Sequence, residues 1–464
     1  MVLSGRKQLN KLPVVIMAGG IGKRIQSVDS SVPKPLIKID GKPILQWEIE
    51  CLVSQGYTDI ILTVSHMAEK IQSFFADGSE FNCNIRYYVE EQPLGNAGAL
   101  FKMLKLGMLT PNEHFLLLNA DSMFDIDFDR FVKKHIESCA SATLFVHPSN
   151  HIYDSGLIIS DENGWVERWL NKEDERPQWY RNCANAGLHV ISSSVLCELV
   201  ENGVIDPDAV GTEGIDGKII KVDLDREILK PLAADVSGKK QMLAVSSPEY
   251  VKDMGTPERF KQVVSDLSSG LVHKRNLSFP QKAIFLDRDG TINQYVGFLR
   301  NIDDFHLLPG VAEAIKLINK SGYLVVVVTN QPVIARGEVT ESELQLIHNK
   351  METELGTEGA YLDAIYYCPH HPDKGFEGEI ERLKIECDCR KPKPGMFFRA
   401  AEDFNIDLCS SWMIGDSEND ILAGKNANCK TALLLYPNDN PVKSSFGQDI
   451  TACSLIEAVK MIIH

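Results

Sequence analysis

The sequence predicts an α/β protein of two domains, each a doubly wound sheet with its reactive residues at strand ends, the first sheet mixed. Three observations lead there. Short apolar runs (Val14–Met17, Leu116–Leu118, Ile284–Leu286, Tyr323–Val328, Trp412–Ile414) have the length and composition of buried strands. Glycine or polar and acidic residues follow each run closely, where open α/β sheets place their ligands. Stretches of helical spacing separate the runs, the alternation of a doubly wound sheet. Finally, Ser268-Ser269-Gly270 and the basic, polar residues up to Pro280 have linker composition. They divide the chain into 1–267, a linker at 268–278, and 279–464.

Composition narrows the function. The 464 residues, 44% of them apolar, suffice for two or three cores. No apolar run is long enough to span a membrane, and no secretory core precedes Val14, so a cytoplasmic protein is expected. Eleven scattered cysteines suit reduced thiols rather than a disulfide framework. A formal charge of −16 disfavours nucleic acid but not small phosphorylated substrates held by a few basic motifs. Self-association is left open.

In the first half, Val14–Met17 runs into Ala18-Gly19-Gly20-Ile21-Gly22-Lys23-Arg24. Glycines directly after a strand let backbone N–H groups approach a polyphosphate, and Lys23 and Arg24 add charge. The loop lacks the Ser/Thr of a P-loop and the Rossmann glycine spacing, so alone it reads equally well as a structural turn. Lys34, between Pro33 and Pro35, stands in a stiff segment that would hold its ammonium against phosphate at small entropic cost. A helix over Ile44–Gln55, a strand over Ile60–Val64 and a helix over Ala68–Phe75 follow. The last helix of this half is expected over Asp253–Leu267.

These residues belong to a series. It continues with Glu91-Gln92-Pro93-Leu94-Gly95-Asn96-Ala97-Gly98-Ala99, Leu116 through Asp121, Asn185-Ala186-Gly187 and Asp253-Met254-Gly255-Thr256-Pro257-Glu258-Arg259-Phe260. The series resembles the signature of the sugar-phosphate nucleotidyltransferases, in the family's order. The resemblance implies a Rossmann-like domain in which a sugar 1-phosphate attacks the α-phosphorus of a nucleoside triphosphate and releases pyrophosphate. It implies that Ala18, Gly19, Gly20, Gly22, Lys23 and Arg24 face the triphosphate, Lys34 the reacting phosphates, and Gln92 and Gly95 the base. Asp121, beside the nucleotide, and Asp253 would hold Mg²⁺. Lys172, Asn185 and Gly187 would meet the sugar phosphate. Where many members carry a Glu-Lys pair this chain has Asn171-Lys172, which leaves the sugar contact open. The charged stretch 174–182 is a sugar-side loop or a surface loop.

In the second half, Asp287-Arg288-Asp289-Gly290-Thr291 follows a strand, and the glycine lets both acids turn toward one metal and one substrate. An ordinary Asp-Gly turn is the plainer reading. Thr329-Asn330-Gln331 ends a second strand, Cys389-Arg390-Lys391-Pro392 offers a lysine, and Gly415-Asp416 ends a third. In order, these motifs resemble the haloacid dehalogenase-like phosphohydrolases. The resemblance implies a nucleophile, Asp287, that forms an aspartyl-phosphate, and a general acid and base, Asp289. Thr329, Asn330 and Lys391 would stabilise the phosphoryl oxygens. Mg²⁺ would sit on the carboxylates of Asp287 and Asp416 and the backbone carbonyl of Asp289.

Independently, Cys368-Pro369-His370 and Cys387-Asp388-Cys389 offer three thiolates and an imidazole, a closed tetrahedral set suited to structural zinc, with His371 as the competing ligand. With Ile334-Ala335-Arg336-Gly337, the whole is similar to the heptose 1,7-bisphosphate phosphatases, which implies Arg390 at a second substrate phosphate. The histidinol-phosphate phosphatases are the close rival.

The two resemblances fit one route. Removal of the 7-phosphate from a D-glycero-D-manno-heptose bisphosphate yields a heptose 1-phosphate, the substrate class of the first domain. The heptose branch implies GTP and a GDP-heptose. A mannose 1-phosphate guanylyltransferase with a differently used phosphatase domain, and a non-catalytic sensor of sugar nucleotides, are the competing readings.

Overall fold

In the computed structural model, which describes residues 11–435 and 445–464 apart from 21–23 and 26, the chain divides into two compact units. The first runs from the amino end to Val146 and includes Ile158–Trp169 and Asn185–His273. The second comprises His147–Leu157, Leu170–Ala184 and Lys274–His464.

The first unit is built on β1 (Val14–Met17), β2 (Asp59–Val64), β3 (Asn84–Val89) and β4 (His114–Asn119), with α1 (Ile44–Ser54) leading into β2. The pairs β1–β2, β1–β4 and β2–β3 are parallel. After the short β5 (Ser122–Asp125) come β6 (Ala142–His147), β7 (Leu157–Ser160), β8 (Val166–Leu170), β9 (Ala184–Ser192) and β10 (Met242–Ser246). The order is β8-β7-β9-β4-β1-β2-β3, with β6 pairing both β9 and β10. Because β9 runs antiparallel to β4, the sheet is mixed. Val14, Ile16, Ile60, Leu62, Leu116 and Leu118 alternate along their strands and share one buried core.

β5 and β11 (Tyr250–Asp253) form a separate antiparallel ribbon that sets Ser122 opposite Asp253. Here the structure corrects the sequence, which put Asp253 at the start of a helix. Pairing with β5 keeps 250–253 extended, and α2 (Pro257–Ser268) starts only after Thr256, whose side chain accepts from Arg259 N. Pro257 suits that first turn, because its missing N–H would have had no partner there.

The second unit has a six-stranded sheet. Its strands are β12 (Lys282–Leu286), β13 (Tyr323–Asn330), β14 (Ala364–Cys368), β15 (Trp412–Gly415), β16 (Lys430–Leu434) and β17 (Ile450–Ala452). All neighbours are parallel, in the order β14-β13-β12-β15-β16-β17. The chain reverses direction across the sheet at β12, the point where such folds place their sites. Ile284 and Leu286 enter one core and Ala283 and Phe285 the other, which is why the strand reads as an unbroken apolar run. Each of the larger side chains contributes roughly 1.5–3 kcal/mol by burial. α3 (Glu341–Thr357) opens with a capping box between Thr340 and Glu343, and α4 (Glu418–Asn426) follows β15.

The stretch with linker composition is not open chain. Leu271–Lys274 is helical, Arg275, Asn276 and Leu277 are buried, and Arg275 Nη1 lies 2.9 Å from Asp363 Oδ1 within the second unit. The Arg275 charge, part of that linker composition, meets a buried partner. Residues 174–182 also group with the second unit, where Tyr180 N donates to Thr353 Oγ1 and Asn182 N to Glu352, both on α3. Among the described residues no helix is long and apolar enough to cross a membrane.

Candidate active sites

In the first unit the ends of β1 and β4 converge with the β5–β11 ribbon. The loop after β1 starts with Ala18 N donating to Thr63 O at 2.9 Å. A Cβ on Gly19 would stand 3.3 Å from Glu90 Oε1, so Gly19 lies against the end of β3, while a Cβ on Gly20 would meet nothing within 4 Å. Gly22 and Lys23 lie outside the described residues. Arg24 reaches the site: a Cβ on Gly255 would meet its Nη2 at 3.4 Å and Asp253 Oδ1 at 2.9 Å.

Lys34, 9% exposed, extends Nζ to Asp121 Oδ2 at 2.5 Å. Met254 N donates to Asp121 O at 2.9 Å, tying the two acidic turns together. Both Asp253 oxygens accept from Arg259 Nη1 at 2.8 Å. Burial pushes the Asp253 carboxyl up, but Arg259, Gly255 N and Lys34 outweigh it and hold it below its usual range. Two carboxylates set among three cations form a place where hard oxygens can take a dication and the cations can take phosphates.

Asn185 Oδ1 accepts from Gly187 N at 3.2 Å. A Cβ on Gly187, at φ +74°, would come 2.7 Å from Asn119 Nδ2, which sets this turn beside the end of β4. Gln92 is exposed, and Gly95 backs onto Val222 while Asn96 Oδ1 accepts from Leu224 N at 2.7 Å. Lys172 belongs to the 170–184 segment that groups with the second unit.

Sequence reasoning missed Glu48. On α1 and 1% exposed, it accepts from Ser122 N at 3.2 Å, directly behind Asp121. Burial, and then Asp121, push its carboxyl well up.

In the second unit β12, β13 and β15 end side by side. A Cβ on Gly290, at φ +84°, would fall 2.1 Å from Asp416 Oδ2, so no side chain fits the turn after Asp289. Lys391, 3% exposed, places Nζ 2.8 Å from Asp287 Oδ1 and 2.6 Å from Asp420 Oδ1. Asp287, Asp416 and Asp420 each bring an oxygen within 4.8 Å of the others. Burial and then Asp420 push Asp287 up to about 8 and Asp416 to about 7. Burial opposes the Lys391 charge, but Asp287 and Asp420 outweigh it and keep the ammonium protonated. Three crowded acids with one ammonium still lack positive charge, and a divalent cation on oxygen ligands fits that deficit.

Asp420 was passed over in the sequence, although its place four residues after Asp416 was a usable signal. Its Oδ2 accepts from Ser417 N at 3.1 Å and Ser417 Oγ at 2.6 Å, capping α4.

The Asp289 carboxylate is not one of this group and has its own donors. Oδ1 accepts from Arg288 Nε at 3.2 Å, Arg288 Nη2 at 3.0 Å and Asn293 Nδ2 at 3.1 Å. Oδ2 accepts from Arg288 Nη2 at 2.8 Å and Gln331 Nε2 at 2.9 Å. Burial would raise this acid, but Arg288, Gln331 and Asn293 hold it below its usual range. Thr329 Oγ1, buried at the end of β13, accepts from Gln331 Nε2 at 2.8 Å. Asn330 Oδ1 accepts from Lys391 N at 2.9 Å and its Nδ2 donates to Lys391 O at 3.0 Å. Its amide holds the backbone of Lys391.

Cys368, His370, Cys387 and Cys389 come together, with Cys389 Sγ 3.2 Å from Cys368 Sγ, 3.4 Å from Cys387 Sγ and 3.3 Å from His370 Nδ1. All four donor atoms lie within 4.8 Å of one another and could hold one metal ion. His371 is not among them; it packs edge-on to Phe376. Arg390 Nη1 donates to His370 O at 3.3 Å, and the Arg336 guanidinium lies between the rings of Phe298 at 3.9 Å and Phe376 at 4.4 Å.

Residues 13–268 match the family described as nucleotidyl transferase, and residues 388–446 match the HAD-hydrolase-like family. Over 156 residues, 33% of this chain and 83% of the relative, the chain is 47% identical to a D-glycero-beta-D-manno-heptose-1,7-bisphosphate 7-phosphatase of Haemophilus ducreyi. It is 33% identical to a solved D,D-heptose 1,7-bisphosphate phosphatase from B. bronchiseptica complexed with magnesium and phosphate, over 39% of this chain and 98% of that one, with a TM-score of 0.35. HddC from Yersinia pseudotuberculosis is 22% identical over 55% of this chain and 99% of its own, with a TM-score of 0.42.

Proposed function

Since the chain belongs to the nucleotidyl transferase family through residues 13–268, and also to that of the heptose 1,7-bisphosphate 7-phosphatases, we propose that it makes a GDP-heptose by two successive reactions. The first removes the 7-phosphate of D-glycero-D-manno-heptose 1,7-bisphosphate. The second transfers GMP from GTP to the resulting heptose 1-phosphate. We place the boundary between the two activities at 268–278 and both reactions in the cytoplasm.

In the phosphatase reaction an Asp287 oxygen attacks the phosphorus, the bond to the sugar oxygen breaks, and Asp289 protonates that oxygen. Water then attacks the aspartyl-phosphate and phosphate leaves. Lys391 meets the phosphoryl oxygens with a charge that Asp420 holds in place, Thr329 and Asn330 border them, and Arg390 meets the second phosphate. Mg²⁺ on Asp287, Asp416 and the Asp289 carbonyl would screen nucleophile from phosphate. Zinc on Cys368, His370, Cys387 and Cys389 would fix the loop that carries Arg390 and Lys391.

In the transfer reaction an oxygen of the sugar 1-phosphate attacks the α-phosphorus and pyrophosphate departs, which asks mainly for alignment and charge neutralisation. Arg24 and Lys34, with Lys23, neutralise the phosphates, and Asp121 and Asp253 would hold Mg²⁺. Ala18, Gly19, Gly20 and Gly22 approach the triphosphate, Gln92 and Gly95 the base, and Asn185 and Gly187 the sugar phosphate.

The reading rests on one observation: a single chain carries two acid–cation sets at strand ends, Asp287, Lys391 and Asp416 in one unit and Asp121, Lys34 and Asp253 in the other. Heptose 1,7-bisphosphate and each nucleoside triphosphate, assayed together, test it. Phosphate and pyrophosphate release with GTP is the expected result. Transfer to mannose 1-phosphate without bisphosphate hydrolysis would favour the mannose enzyme, and no turnover at all the sensor.

A further inference from the structure

Arg288 is fully buried, yet it is neither nucleophile nor acid in the scheme above. Its guanidinium is shared between two partners. Nε and Nη2 face Asp289, and Nη1 lies 3.3 Å from His348 Nε2. A guanidinium only donates, so His348 Nε2 must accept and the neutral ring carries its proton on Nδ1. His348, on α3, is 2% exposed and its ring centroid lies 5.9 Å from that of Tyr367, which limits its freedom to turn away.

The oxygens of Asp289 accept from three side chains at once, Arg288, Asn293 and Gln331, with Arg288 contacting both. A carboxyl carrying a proton on either oxygen would set O–H against an N–H donor. Asp289 must therefore release part of this contact whenever it holds a proton, as acid in the first step or after taking one from water in the second, and the donors set the place to which it returns.

We propose that His348 and Arg288 are positioning residues for Asp289, read most directly in the second chemical step: His348 fixes the guanidinium, and the guanidinium sets where the Asp289 carboxylate stands when water hydrolyses the aspartyl-phosphate. The relay rests on the phosphatase reading above. In that step the water oxygen bonds to phosphorus and one water proton passes to an Asp289 oxygen. The phosphorus–oxygen bond to Asp287 breaks, and its electron pair returns to the Asp287 carboxylate. To act as acid in the first step, Asp289 must give up part of its contact with Arg288, and His348 keeps Arg288 from following it.

p-Nitrophenyl phosphate separates the two steps, because its leaving group departs without a proton. With the full-length protein and Mg²⁺, His348→Phe keeps the ring volume and removes the acceptor. Its steady-state rate should fall about 10- to 100-fold, as small misplacements of catalytic groups do, while the first turnover stays fast. A burst of about one nitrophenolate per active site follows, set by the accumulated phosphoenzyme. His348→Gln, which keeps an acceptor, should restore most of the rate and remove the burst. His348→Leu serves in the same way if the phenylalanine variant does not fold. Slowing of both phases together without a burst, or kinetics of His348→Phe equal to wild type, overturns the relay. A wild-type protein that releases no nitrophenolate overturns the phosphatase reading itself and the relay with it.

Discussion

Lys391 Nζ lies 2.6 Å from Asp420 Oδ1, nearer than its 2.8 Å to Asp287, the proposed nucleophile. Asp420 spends its other oxygen on capping α4, so the lysine is anchored to a helix start rather than to a flexible loop. Asp420→Asn keeps an acceptor for the lysine but loses the charge that holds it. Phosphate release should slow about 10- to 100-fold in kcat with little change in KM, since the interaction matters most in the transition state. Steady-state kinetics check this.

The two sites should fail separately. Asp287→Asn removes the proposed nucleophile and should lower phosphate release at least ~10³-fold while pyrophosphate release continues. Asp121→Asn should do the reverse. Loss of both activities from either substitution would contradict independent chemistry.

Protonation of the Asp287–Asp416 cluster gives a pH signature. Both carboxyls titrate far above their ordinary value, at about 8 and about 7. A raised acid contributes stability that is present below its unfolded pKa of 3.8 and is lost as pH rises through the folded value. The metal-free protein should therefore melt at a lower temperature at pH 8.5 than at pH 6, to the extent that these two acids govern it. Mg²⁺ must displace their protons, so its affinity and its stabilising effect should grow over the same interval. Calorimetry with and without Mg²⁺ at the two pH values measures both.

Arg275 and Asp363 form an ion pair 3% and 0% exposed. Arg275→Met leaves a buried carboxylate without its cation and should cost about 3–5 kcal/mol in urea unfolding of the second unit. Adding Asp363→Leu should recover part of that loss, because removing both charges also removes the desolvation cost.

Removal of the zinc proposed for the cysteine cluster, by chelation or by Cys389→Ser, should lower phosphate release and spare transfer. Cys389 is followed at once by Arg390 and Lys391, so loosening it frees the lysine. Phosphate and pyrophosphate assays on the same sample read the difference.

What was legible in the sequence was whatever lies at a strand end or repeats at a fixed spacing. Asp287, Asp289 and Asp416 follow apolar runs, and the cysteines and His370 announce themselves in two tight pairs. The partners that orient these groups do not. Glu48 sits on an ordinary helix and touches Ser122 only through the fold. His348 lies on another helix and meets Arg288 only across the core. Gln331 was part of a visible motif, but its amide could not be aimed at Asp289 before the end of β13 was in place. Asp253 was seen as an acid and misplaced in a helix, because ribbon pairing with β5 is a long-range fact.

The glycines beneath the phosphatase site also limit how it can change. A Cβ at 290 would collide with Asp416, and one at 415 would fall 2.4 Å from the Asp420 side chain. Neither position has a tolerated neighbour one substitution away, so the floor that holds the phosphoryl group is closed to gradual modification. Phe298, 41% exposed and packed on the Arg336 guanidinium, has more latitude than these glycines. Directed evolution of this enzyme toward other sugars should accumulate its changes there and leave the acid cradle untouched.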